Sequence, residues 1–165
     1  MADRIPIQDL LARIKTNWPA ADAPETDIVF MILRFQDLIR MNTEEVLGKF
    51  NLSHASFEIL VALRAQPNPR QLTPTELYRS ALLSSGGTTK ILIQLESRGL
   101  IERASNPMDG RSKIVCLTAS GETLVESAMT EVMTYDRELF SKLDDVVDIT
   151  QLKNVLDVAL SAVES

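Results

Sequence analysis

The sequence predicts a mainly α fold carrying one small β-hairpin between long flanking helices, and three observations carry that expectation. Apolar residues recur at three- and four-residue steps over several long stretches. The period changes abruptly at Gly99, where short alternating runs replace the helical pattern. Strong capping signals then divide the middle of the chain into short helices that lead straight into the hairpin. A length of 165 residues fits one compact unit with its own core.

Taken in order, Ile7, Leu10, Leu11 and Ile14 form a short amphipathic run from Ile5 to Trp18, stopped by Pro19. PAADAPET, residues 19–26, reads as a linker. A longer helix should start near Thr26 or Asp27, because Ile28, Met31, Ile32, Phe35, Leu38, Ile39 and Val46 make a stripe suited to a partner helix. Gly48 and the polar stretch to Asn51 should close it. Leu52 and Ser53 supply a hydrophobic residue and an N-cap for a helix through Phe57, Leu60, Val61 and Leu63, followed by a PNPRQ connection. Thr73, Pro74, Thr75 and Glu76 place a cap, an N1 proline and an acidic N3 residue in order, so Pro74 to Ser80 should be helical.

Ser84 or Ser85 can cap the next helix, which runs to Arg98 with Gly99 as its terminating residue. Leu100–Ala104 and Lys113–Leu117 are the expected strands, with NPMDGRS as the turn between them and the Asp109-Gly110 dipeptide inside it. Thr118 caps a helix carrying Leu124, Val125, Met129, Val132, Met133, Leu139 and Phe140. A last helix spans about Ile149 to Val163. Two short helices joined to a hairpin make a winged helix-turn-helix. The long N- and C-terminal helices around it carry apolar faces in excess of what so small a body can cover. A second copy of the chain is the expected cover, since twofold association is the commonest oligomer. The expected division is therefore residues 1–52 and 119–165 for dimerisation and 53–118 for the winged lobe.

The formal charge is −6, which disfavours a polyanionic partner for the molecule taken whole. The distribution is uneven. Residues 53–118 hold eight basic and five acidic side chains, whereas the remainder holds nine basic and eighteen acidic. A mildly basic middle between acidic ends can present one face to phosphate. No apolar run approaches the roughly 20 residues that span a bilayer, and MADRIPIQDLLARIK lacks the features of a signal peptide. The expectation is a cytoplasmic protein without a membrane partner. One cysteine, Cys116, and one histidine, His54, exclude an intrachain disulfide and the usual zinc sets, and no nucleophile–base constellation can be assembled. No catalytic residue, metal or cofactor is therefore expected. Cys116 alternates with the apolar residues of its strand, which fits burial in the hairpin rather than redox sensing.

In a helix-turn-helix the second helix should offer small and polar groups in its first turns, where it approaches a groove of double-stranded DNA. Ser84, Ser85, Gly86, Gly87, Thr88, Thr89 and Lys90 meet that description. The same serines and glycines also fit an ordinary loop and cap. Arg111 and Lys113 near the hairpin tip are suited to a minor groove, where negative potential attracts guanidinium, and Asp109 can orient Arg111.

The segment LTPTELYRSALLSSGGTTKILIQLESRGLIERASNPMDGRSKIVCLT, Leu72 to Thr118, resembles the MarR family of bacterial transcriptional regulators, and the likeness extends over roughly residues 27–163. The resemblance implies a homodimeric regulator, usually a repressor, on pseudo-palindromic DNA. It further implies an anionic, often aromatic effector in a cleft between the dimerisation helices and the DNA-binding lobe. The N-terminal LLARIKTNW segment is similar to that of urate-responsive members, which places Trp18, Glu58 and Arg103 as candidate contacts to an anionic aromatic or purine-like ligand. The match departs from that pattern in carrying glutamate at 58 and Ile91 where those members have a further arginine. Bland roles fit the same residues: Trp18 as the bulk of a docking helix, Glu58 and Arg103 as a pair that fixes the lobe. Two alternatives keep the fold and change the function: a winged-helix protein-interaction module, and a DNA-binding regulator without an effector.

Overall fold

A computed structural model describes residues 4–80, 88–106, 109–143 and 145–164, with the backbone alone at 109–112. The chain falls into two units, residues 1–42 and 43–165. The architecture is mainly helical with a small three-stranded sheet, the winged helix-turn-helix expected, with helices before and after it.

The first unit contains α1 (Ile7–Asn17), a 3-10 turn over Pro19–Ala21 inside the expected linker, and most of α2 (Pro24–Lys49). α2 starts two residues before Thr26, because Pro24 supplies a preset φ at the first helical position and Glu25 and Asp27 favour that end of the helix dipole. Within this unit Arg4 pairs with Asp37, and Arg34 Nη1 donates to the Ile5 carbonyl at 3.0 Å. The apolar residues Ile28, Met31, Ile32 and Leu38 remain exposed.

The second unit holds the core. α2 passes through Gly48 instead of ending there. Its reversal comes at Asn51, which takes φ +53°, while Leu52 N–H bonds the Leu47 carbonyl and Asn51 N–H bonds that of Gly48. Gly99 repeats this geometry: with φ +67°, it donates to Glu96, and Leu100 donates to Leu95. In both turns the paired leucines are buried, so each reversal is fixed by packing as well as hydrogen bonds. Ser53 caps α3 (His54–Arg64) by accepting from Ser56 N–H, and Thr118 caps α6 (Ala119–Ser141) by accepting from Gly121 N–H. Val46, Leu47, Ile59, Leu60, Leu63, Leu77, Leu95, Val115 and Val125 make the centre of the core. Asp148 caps α7 (Ile149–Val163), in which no residue is buried.

The PNPRQ connection leads into a strand the sequence did not announce. β1 (Gln71–Leu72) pairs with Cys116 and Val115 of β3 (Asp109–Leu117), and β2 (Ile101–Asn106) lies on the other side of β3. The wing is thus three-stranded, in the order β1-β3-β2. The expected turn is also displaced. Asn106 pairs with Asp109, and Ser105 pairs with Lys113, so Asp109-Gly110 belongs to β3 and residues 110–112 form a bulge.

Candidate nucleic-acid interface

α4 (Pro74–Ser80) and α5 (Thr88–Ser97) are the two helices of the helix-turn-helix. α4 begins with a reciprocal capping box: Thr73 Oγ1 accepts from Glu76 N–H at 3.2 Å, and the Glu76 carboxylate accepts from Thr73 N–H at 2.7 Å. The Thr73 backbone and hydroxyl donors together hold the Glu76 carboxyl below its ordinary range. α5 packs by Leu92 and Leu95, which are buried, and this turns Thr89 and Lys90 outward. Thr88 is half-buried, its Oγ1 without a hydrogen-bond partner among the described residues. Ser84, Ser85, Gly86 and Gly87 lie outside the described residues.

Arg111 sits in the bulge of β3 rather than on a turn, a correction to the expected hairpin tip. Asp-Gly favours a tight turn locally, but here Asp109 is taken up by pairing with Asn106, and the extra residues are absorbed on the β3 side. Lys113, at the inner edge of that bulge, is exposed. Ile114 and Val115 behind it are buried, and Val115 ties the wing to the core. Cys116 is half-buried, 3.8 Å from Gln71 Oε1, and desolvation followed by the nearby Glu102 raises its thiol pKa. A raised pKa favours the protonated thiol over the nucleophilic thiolate.

The candidate ligand residues have partners of their own. His54 Nε2 lies 3.4 Å from Glu58 Oε1 one helical turn away, and Arg103 Nε lies 3.3 Å from Glu96 Oε2. Glu58 and Arg103 are therefore not paired with each other in the manner the sequence allowed. The Arg103–Glu96 contact lacks hydrogen-bond alignment, and Nε and Nη2 of Arg103 are buried without a hydrogen-bond partner among the described residues. Trp18 belongs to the first unit and is 65% exposed.

One further positioning residue escaped sequence reasoning. Arg98, just past α5, donates from Nη1 to the Asn51 carbonyl at 2.6 Å and from Nη2 to the Phe50 carbonyl at 3.0 Å. It thereby caps the end of α2 while fixing the end of α5. A lone arginine beside a terminating glycine announces nothing of this; the only available signal was Asn51, a residue type tolerant of the left-handed region. No helix among the described residues is long and apolar enough to cross a membrane.

Comparison with known proteins agrees with this geometry. Residues 50–112 match the model of the MarR family. An uncharacterised HTH-type transcriptional regulator of Bacillus cereus is 30% identical over 128 residues, covering 77% of this chain and 80% of that protein. The solved structure of Sco3205, a MarR family transcriptional regulator from Streptomyces coelicolor in complex with DNA, superposes with a TM-score of 0.71 at 21% identity, covering 86% of this chain and 88% of that one. NadR in complex with 4-hydroxyphenylacetate superposes with a TM-score of 0.64 at 22% identity, covering 82% and 91% respectively. The chain belongs to the MarR family and is a DNA-binding transcriptional regulator.

Proposed function

We propose that the protein is a ligand-responsive repressor that binds a pseudo-palindromic duplex as a homodimer. The observation that carries the reading is α5: its first described turn presents Thr89 and Lys90 outward from a helix held rigidly by Leu92, Leu95 and Arg98. In this reading Ser84, Ser85, Gly86, Gly87, Thr88, Thr89 and Lys90 approach the major groove, and Arg111 and Lys113 reach the adjoining minor groove and phosphates. Residues 53–118 are the DNA-binding lobe, and residues 1–52 and 119–165 supply the dimer contacts. The uncovered apolar side of α7 supports that assignment, since a helix of this composition is stable in water chiefly when covered.

The effector is an anionic aromatic or purine-like molecule. Support comes from Arg103, whose buried Nε and Nη2 lack a hydrogen-bond partner among the described residues although Glu96 lies 3.3 Å from Nε; a carboxylate or urate oxyanion bound at Nη2 relieves that. NadR holds an anion of that class. Glu58 is the acidic contact and Trp18 the aromatic one in the same assignment.

The test is selection of bound duplexes from a random pool, followed by titration of the winners across salt concentrations. The expected result is a pseudo-palindrome whose salt slope falls by roughly one per half-site on Arg111→Ala. Urate or 4-hydroxyphenylacetate then releases the wild-type protein but not Arg103→Ala. Failure of a folded dimer to enrich any duplex favours the protein-interaction reading. Enrichment without release by either anion favours a regulator that has no such effector.

A further inference from the structure

The outward side of α5 is polar except at its centre. Leu92 and Leu95 are buried, whereas Thr89, Lys90, Ile93, Gln94, Glu96 and Ser97 are exposed. At about 100° per residue, Thr89, Ile93 and Ser97 form one row along the helix, and Lys90 and Gln94 form the row beside it. Ile93 is 55% exposed and takes no part in the core cluster. Its β-branched side chain is not a helix-favouring choice for a position in water. A bulky apolar group is thus mounted at the middle of a face otherwise made of hydroxyls, an amide and charges.

Major-groove chemistry supplies one apolar group, the C5-methyl of thymine, and each A·T pair sets it beside the N6 and N7 atoms of adenine. Building on the DNA-binding reading of α5, we infer that Ile93 is a specificity-determining residue that packs on a thymine methyl, with Gln94 addressing adenine of the same or the next pair. Four residues of helix rise separate Thr89 from Ile93, about 6 Å or close to two base-pair steps. The thymine therefore falls within about two pairs of the base met by Thr89. Ile93 touches no phosphate, so its contribution is insensitive to salt.

The experiment uses the full-length protein and the duplex it enriches from a random pool. Each thymine is replaced in turn by deoxyuridine, which removes the methyl and leaves the pairing intact. Wild-type protein should bind about fourfold more weakly at one thymine per half-site, the value of one buried methyl. Ile93→Ala should be weakened on the natural duplex, indifferent to uracil at that position, and unchanged in salt slope. The inference is overturned if wild-type protein binds every uracil duplex as tightly as the parent, or if Ile93→Ala keeps the uracil penalty. An enriched half-site without A·T pairs overturns it too, as does dissociation of the Ile93→Ala dimer in sedimentation, which would make Ile93 a subunit contact. These outcomes leave the DNA-binding reading intact, whereas failure to enrich any duplex removes both.

Discussion

α3 and α7 are amphipathic helices of the same unit with opposite fates. α3 buries Ser56, Phe57, Ile59, Leu60, Ala62 and Leu63. α7 buries none of its fifteen residues, although Ile149, Leu152, Val155, Leu156, Val158, Leu160 and Val163 are all apolar. Composition does not separate them; neighbours do. α3 is surrounded by α4, α5, β3 and α6. α7 meets the end of α6 along a groove lined by Phe140, Leu152, Leu156 and Leu160, and its other side is open. One helix is thus covered by its own unit, while the other reaches comparable burial only with cover from beyond that unit.

The most severe test of this difference is Leu60→Ala. Leu60 is fully buried, and the cavity should cost about 2–5 kcal/mol in urea unfolding. A loss under about 1 kcal/mol would mean that α3 is not where the stability resides. Gly121→Ala comes next. A Cβ there meets the Leu100 carbonyl and the Leu117 side chain, so the start of α6 must shift, and overpacking of this kind costs about 1–3 kcal/mol by the same measurement. Thr118→Ala removes the α6 cap and the 2.7 Å bond from its hydroxyl to the Gly99 carbonyl, with an expected loss of about 1 kcal/mol.

A smaller effect is tied to pH. The Glu76 carboxyl is held below its ordinary value of 4.5 by donors from Thr73. A depressed pKa stabilises the fold above the unfolded value and stops doing so as pH falls through the folded one. The stability difference between wild type and Glu76→Gln should therefore be present at pH 7 and vanish on acidification below that range. A difference that persists unchanged at pH 3 rules out the carboxylate as its source. The smallest effect on the isolated chain belongs to the open side of α7: Val158→Glu, at a position 72% exposed and outside that groove, should leave its helical circular dichroism intact and change intrinsic stability by about 0.5 kcal/mol or less. If the proposed homodimer forms through α7, the same substitution should convert the species seen by sedimentation to monomer. Loss of the fold in that variant would erase the contrast between the two helices.

What sequence could say followed the locality of the interaction. Ser53, Thr73, Gly99 and Thr118 announced their turns because each acts on backbone groups within a few residues. β1 did not, since two residues carry no period and its partners Val115 and Cys116 are more than forty positions away. The shift of Arg111 from a turn into a strand has a similar origin. Asp-Gly encodes a turn locally, but strand register is settled by the burial of Ile114 and Val115. On α5, the exposure of Thr89 and Lys90 follows from their polar character in its first turn, whereas the Arg98 contacts depend on where Asn51 ends a different helix.

The twin hydrogen bonds of Arg98 make α5 a lever with a fixed heel. Ten residues separate Arg98 from Thr88, so the far end stands about 15 Å from the pivot. Tilting the helix by about 10° at that heel carries Thr88 some 2.6 Å sideways (roughly), the length of a hydrogen bond. Where α2 reverses at Phe50 and Asn51 therefore bears on where the outer end of α5 stands.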